Sequence, residues 1–170
     1  MLRSCIQTGE IKLASGRTTD FYFDGREVTL RPEGLKLVSQ LAWEHLRGEF
    51  DAVGGPTSGA DAMVAGIGLE ALSLDYKLKT FFVRGAKKEH GMGKMVEGPA
   101  FDDKDRVALI DDVATTGGSI IRAAEALKAE CGITARVALV IVDREEGAQE
   151  KLADQGIELI ALFTRSELMQ

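Results

Sequence analysis

The sequence predicts an α/β fold, a doubly wound and mostly parallel sheet with helices on both faces. Three observations carry that prediction. From about residue 32 onward, strand-like and helix-like segments alternate, the pattern of repeated βα units. Several strand segments, among them Val107-Ala-Leu-Ile110 and Val137-Ala-Leu-Val-Ile-Val142, are continuous apolar runs, as a strand covered on both faces requires. Three strand ends then carry unusual chemistry: Gly54-Gly-Pro-Thr-Ser-Gly59, the segment after Arg84, and Asp111-Asp112 with the glycines that follow. In an open parallel sheet, ligands bind outside the carboxyl ends of the strands.

The elements follow in order. The segment 18–30, TTDFYFDGREVTL, has strand-like residues but stands ahead of the alternation. It is expected to form a small antiparallel appendage, part of an N-terminal hood over roughly residues 1–30. Pro32 sits at a first-turn position, and Leu35, Val38, Leu41, Ala42, His45 and Leu46 repeat at helical spacing. A short strand is expected at 50–54, an Ala/Gly/Leu helix at 59–73 and a strand at 79–84. The glycine-rich stretch 85–99 reads as a loop. Strand 106–111, helix 117–131, strand 135–143, helix 146–155 and strand 157–163 complete the pattern. His45 reads as a packed or boundary histidine, and Trp43 as packing.

The 170 residues suit one domain spanning the chain, enough to bury roughly 70% of the unfolded surface. Hydrophobic residues make up 45% and charged residues 28%, ordinary for a globular protein. No transmembrane run or signal-peptide core is visible, so the expected location is cytoplasmic, with no membrane partner. Cys5 and Cys131 are isolated and lack metal-ligand spacing, which suggests reduced thiols. A net charge of −6 argues against nucleic acid as a partner. It leaves room for a local basic cluster, and Arg84, Lys87, Lys88, His90 and Lys94 form one.

The stretch VALIDDVATTGGS, Val107 to Ser119, is the most informative. Strand runs straight into helix through small hydroxyl residues and glycines, so backbone N–H groups converge at a helix N-terminus, a setting suited to a phosphate. No Gly-Lys-Ser/Thr follows, so this is not a Walker loop, and Gly66-Ile-Gly68 falls inside a helix with no strand before it, so it is no dinucleotide fingerprint. A helix cap would explain one acid but not both Asp111 and Asp112. Vicinal ribose hydroxyls are natural partners for the pair, which could also stabilise positive charge developing on the sugar.

LIDDVATTGGS resembles the phosphoribosyl-pyrophosphate (PRPP) motif of the type I phosphoribosyltransferases. Ser15-Gly-Arg-Thr-Thr-Asp-Phe-Tyr-Phe-Asp24, Arg84-Gly-Ala-Lys-Lys-Glu-His-Gly-Met-Gly93 and Ile141-Val-Asp-Arg-Glu-Glu-Gly147 make it similar to the orotate phosphoribosyltransferases in particular, over about residues 8–167. The resemblance implies a phosphoribosyltransferase, hence a pentosyltransferase, that moves the 5-phosphoribosyl group from PRPP to orotate in pyrimidine (UMP) biosynthesis.

It further implies that Asp111, Asp112, Val113, Ala114, Thr115, Thr116, Gly117, Gly118 and Ser119 bind the ribose and 5′-phosphate. Gly55, Pro56, Thr57, Ser58 and Gly59 would receive pyrophosphate. Residues 85–99 would be a mobile lid whose Arg84, Lys88 and His90 clamp pyrophosphate, with Lys88 and His90 acting in trans across a homodimer. Arg84, Lys88, His90, Asp111 and Asp112 are then the catalytic set. Mg²⁺ is the implied cofactor, held mainly by PRPP and water, with no direct protein ligand. Tyr22 and Phe23 would wall the pyrimidine and Thr115 would touch it. Arg144 is the candidate for orotate's carboxylate, since guanidinium grips that group with two parallel hydrogen bonds.

Three departures stand out. Ala14 and Gly85 occupy positions where many members have lysine, and the chain is shorter at its N-terminus than typical members. Two alternatives are a transferase for another base, such as a purine, and a non-catalytic PRPP-sensing regulator. Arg144 and the Tyr22-Phe23 pair oppose the first; the lid's Lys88 and His90 oppose the second.

Overall fold

The computed structural model describes residues 5–12, 18–86 and 93–170. In chain order the elements are β1 (Ile6–Lys12), β2 (Thr18–Phe23), α1 (Arg26–Thr29), α2 (Pro32–Leu46), β3 (Ala52–Pro56), α3 (Asp61–Ser73), β4 (Lys79–Val83), β5 (Val96–Glu97), β6 (Val107–Ala114), α4 (Gly118–Cys131), β7 (Val137–Asp143), α5 (Ala148–Asp154), β8 (Glu158–Thr164) and α6 (Arg165–Leu168).

Six strands form one sheet in the order β5-β4-β3-β6-β7-β8. All neighbouring pairs are parallel except β4 with β5. The continuous apolar runs have the expected cause. Along β6, Ala108 and Ile110 belong to the core shared with α2, α3 and the hood, which includes Phe21, Val38, Trp43, Met63 and Ile67. Val107 and Leu109 belong to the opposite core, with Ile120 and Leu127 of α4 and Leu152 of α5. Successive positions of Val107–Ile110 thus meet apolar partners on alternate faces, and helices cover both.

The order of strands places a topological switch at the centre. From β3 the chain crosses to β4 on one side, and from β6 it proceeds to β7 and β8 on the other. The crevice between β3 and β6 is where such sheets bind ligands.

Several expectations are corrected in detail. β6 continues through Asp111 and Asp112 to Ala114, so both acids are strand residues. The stretch 85–99 contains the edge strand β5. In the hood, β1 and β2 pair antiparallel from Ile6↔Phe23 to Lys12↔Thr18, but residues 26–29 are helical, not extended. On α2 the buried residues are Gly34, Val38, Ser39, Ala42, Trp43 and Leu46, while Leu41 and His45 face outward. Trp43 packs edge-on against Tyr76 with ring centroids 5.0 Å apart.

Candidate active site

The switch point is built by glycine. A Cβ on Gly55 would collide with the Ile110 carbonyl and Ala60, and one on Gly54 with the Phe81 carbonyl and ring. Only bare backbone lets β3 sit between β4 and β6 at this spacing. Beyond Pro56, the Thr57 N–H donates to the Val83 carbonyl at 3.0 Å and the Ala60 N–H to the Pro56 carbonyl at 3.3 Å. The Thr57–Ser58 peptide is cis. This turn brings Gly59 against both aspartates, where an added Cβ would sit 2.7 Å from Asp111 Oδ1 and 2.6 Å from Asp112 Oδ1. The sequence-predicted pyrophosphate loop, Gly55 to Gly59, and the acid pair are therefore in contact.

The two acids have different surroundings. Asp111 is 6% exposed; its Oδ2 accepts from the Ser119 hydroxyl at 2.8 Å and its Oδ1 from the Asp112 N–H at 3.0 Å. Burial, then repulsion from Asp112, pushes its carboxyl up to about 7, against the lowering effect of Ser119. Asp112 is half-buried, and burial raises it too. Two adjacent carboxylates cannot both ionise cheaply away from water, so the pair resists a second negative charge.

From β6 the chain passes through Thr115 and Thr116, both partly exposed, to Gly117 at φ 74°. That left-handed turn demands glycine, and a side chain there would also press on Leu152, its Cβ 3.1 Å from Cγ. Helix α4 then begins with no acidic residue in its first turn and no side-chain cap. Its positive end is left for an anion brought from outside. Val113 and Ala114 close the strand, and Gly118 and Ser119 form the first turn, so the whole predicted Asp111–Ser119 stretch lies on one strand–loop–helix passage.

Arg144 follows β7 directly, its N–H donating to the Ala114 carbonyl at 2.9 Å, which places it beside the Thr115 loop. The residue is buried, 7% exposed, and its side chain turns to the hood. There Nη2 donates to Thr19 Oγ1 at 3.0 Å and to the Phe21 carbonyl at 3.1 Å, and pairs with Glu146 Oε1 at 2.8 Å. The structure separates Tyr22 from Phe23. Strand alternation buries Phe21 and Phe23 in the core, while Tyr22 is partly exposed on the other face of the hairpin. Arg84 is exposed at the end of β4, with Nη1 3.3 Å from Glu97 Oε1. Lys88 and His90 lie outside the described residues.

Sequence reasoning missed three supporting groups, Gly25, Glu130 and Thr19. Gly25 is buried against Asp112, and the Asp24-Gly25 dipeptide was its signal, a turn pair. Asp24 grips Arg26 through Nε and Nη2, both at 3.0 Å. Glu130 of α4 accepts from the Met95 and Val96 N–H groups, pinning the return of the predicted lid. Thr19 holds Arg144. Among the described residues, no cluster of three or more His, Cys, Asp or Glu side chains could hold a metal ion, and no helix is long and apolar enough to cross a membrane.

Residues 26–164 match the phosphoribosyl transferase domain. The chain is 40% identical over 169 residues to the orotate phosphoribosyltransferase of Pyrococcus abyssi (strain GE5 / Orsay), covering 98% of this chain and 89% of that protein. It is 42% identical over 165 residues to that of Rhodopseudomonas palustris (strain TIE-1), covering 95% and 88%. Among solved structures, the Mycobacterium tuberculosis H37Rv orotate phosphoribosyltransferase in complex with PRPP matches with a TM-score of 0.78 at 26% identity, over 99% of this chain and 94% of that one. The Aeropyrum pernix orotate phosphoribosyltransferase matches at 0.74 and 30% identity, over 98% and 92%. With its acid pair, glycine turn and helix N-terminus gathered at the sheet's switch point, this chain belongs to the orotate phosphoribosyltransferase family.

Proposed function

We propose that the chain transfers the 5-phosphoribosyl group of PRPP to orotate, giving orotidine 5′-phosphate and pyrophosphate in pyrimidine biosynthesis. The observation that carries this reading is the contact of Gly59 with both Asp111 and Asp112. It sets an anion-receiving turn and a ribose-reading acid pair side by side, as PRPP, with pyrophosphate on its ribose, demands.

In this reading the 5′-phosphate sits on the N–H groups of Thr115 to Ser119 at the start of α4. Vicinal ribose hydroxyls donate to Asp112 and Asp111, of which Asp112 is the more accessible. The bond from the anomeric carbon to pyrophosphate breaks as the bond to the orotate ring nitrogen forms. The carboxylates face the positive charge that builds on the sugar between those events. Residues 55–59 and Arg84, with Lys88 and His90 of the lid, hold the departing pyrophosphate. Thr115, Tyr22, Phe23 and Arg144 are the assigned orotate residues. Phe23 acts from the core by backing the strand that carries Tyr22.

The donor set suits Mg²⁺ brought in with the substrate: the described residues offer no cage for the ion, so PRPP oxygens and water would hold it beside the acid pair. When bound, Mg²⁺ neutralises charge on the pyrophosphate. The chain's own contribution is positioning, charge complementarity and exclusion of water. We place the working unit as a homodimer in which Lys88 and His90 serve the neighbouring site, and the reaction in the cytoplasm.

Pyrophosphate release from PRPP and Mg²⁺, measured with orotate, uracil or adenine as acceptor, tests the assignment. Release with orotate alone is expected. Release with adenine would move the chain to another base, and PRPP binding without release for any base would make it a sensor.

A further inference from the structure

Arg144 is over-subscribed on one nitrogen and empty on another. Nη2 has two hydrogens but three acceptors within reach: Thr19 Oγ1, the Phe21 carbonyl and Glu146 Oε1. Nε is buried and has no hydrogen-bond acceptor among the described residues. A buried donor left unpaired is costly, more so on a charged group. The acceptors also differ in kind. Thr19 and Phe21 belong to β2, and the Thr19 hydroxyl itself donates to the Phe21 carbonyl at 2.9 Å, so these two form a fixed cradle. Glu146 stands on the turn between β7 and α5, flanked by Glu145 at φ 56° and Gly147 at φ 91°. Its side chain is 28% exposed against 8% for Arg144. Its neighbour Glu145 is committed elsewhere, accepting from the Ser166 N–H and hydroxyl at 2.8 and 2.6 Å. Glu146 is the one of the three acceptors that can turn toward solvent.

We propose that Glu146 is a built-in competitor for the carboxylate of orotate. Its carboxylate keeps the buried guanidinium paired, which spares the protein an uncompensated internal charge. An incoming planar carboxylate gripping Arg144 through Nε and Nη2 supplies the missing acceptor at Nε and takes the Glu146 place at Nη2. Glu146 then swings out into the cleft of about 680 Å³ that it lines with Arg144, Thr18, Thr19, Asp20 and Arg165. A base without a carboxylate cannot make this exchange, so Glu146 sharpens selection beyond what Arg144 achieves alone. The inference rests on the reading of Arg144 as the reader of orotate's carboxylate.

Steady-state kinetics on the full-length chain, with direct titration of orotate and uracil, tests it in the wild type, Glu146→Gln and Arg144→Ala. Glu146→Gln keeps the shape and an acceptor oxygen but removes the charge. It is expected to lower the KM and Kd for orotate roughly fivefold, leave uracil binding where it was, and move the PRPP KM far less. An orotate KM that rises or stays the same in Glu146→Gln would overturn the proposal and leave Glu146 a positioning residue or a bystander. Arg144→Ala separates the two layers. A loss confined to orotate, with no gain from Glu146→Gln, upholds the base reading and sinks the competitor. Equal losses for orotate and PRPP remove both.

Discussion

Gly25 lies against Asp112 so closely that a methyl group there would sit 2.6 Å from Asp112 Cβ and 2.7 Å from Oδ2. The glycine is the hinge between β2 and α1, at φ −60°, a conformation any residue adopts. What requires glycine is space, not backbone freedom. The hood is thereby keyed to the acid pair, with Gly25 on one side of Asp112 and Gly59 on the other.

Gly25→Ala should therefore act on folding as well as on chemistry. Asp112 Cβ is fixed to β6 and cannot rotate away, so the alanine must push the hood turn off the strand as well as shift the carboxylate. We expect kcat/KM to fall about 10²-fold, the scale of a displacement of about 1 Å at a reacting centre, and stability to fall by about 1–3 kcal/mol from overpacking. A variant with wild-type kcat/KM would show that the Asp112 position does not matter to turnover.

Asp111 gives a prediction with a pH signature. Its folded carboxyl is raised to about 7 from an ordinary 3.8. The stability associated with its neutral form is fully present below pH 3.8 and is lost as pH rises through 7. Asp111→Asn removes that dependence, because the amide can still accept from the Asp112 N–H and meet Ser119. The substitution should stabilise the empty protein by on the order of 3 kcal/mol above pH 8 and by almost nothing below pH 4, measured by urea unfolding across that range. Turnover should fall by orders of magnitude throughout. A stability gain independent of pH would contradict the buried, raised carboxyl.

That pairing of cost and function explains what the sequence could and could not disclose. The β6 run and its ending in Asp111-Asp112 were readable because apolar continuity and buried acids are local signals. The central sheet followed from the same continuity. β1 was not readable: Ile6 and Ile11 are the half-buried residues of a mostly exposed strand, and a bulge between Thr8 and Ile11 breaks the two-residue period. α6 was readable in principle, since Thr164 and Glu167 form a capping box. The separation of Tyr22 from Phe23 also follows from strand alternation, once residues 18–23 are known to form a strand with one covered face. The occupation of Arg144 by Thr19, Phe21 and Glu146 was beyond any sequence pattern, because it joins β2 to the end of β7 across more than a hundred residues.

If Lys88 serves the neighbouring site of a homodimer, mixing of subunits should give complementation. Lys88→Ala and Asp112→Asn homodimers should each be nearly inactive. Mixed and allowed to exchange subunits, they should recover about one quarter of wild-type activity, because half the dimers become mixed and each mixed dimer holds one intact site. No recovery, with mixed dimers demonstrated by mass, would place Lys88 in its own subunit's site.

Arg165 makes a further tie to the hood, with Nη2 at 2.7 Å from both Asp20 oxygens and its guanidinium 5.6 Å from the Phe21 ring centroid. Asp20 is exposed and Arg165 partly so, which keeps the pair screened by water, so Arg165→Ala should cost no more than about 1 kcal/mol of stability by urea unfolding. A loss several times larger would mean that the hood's docking depends on this contact.

The most direct test of the central claim is the ultraviolet absorbance of orotate after mixing the protein with orotate, PRPP and Mg²⁺. The account predicts a loss of the orotate absorbance that needs all three components and that Asp112→Asn abolishes. An unchanged spectrum, from protein that still binds PRPP, would contradict it.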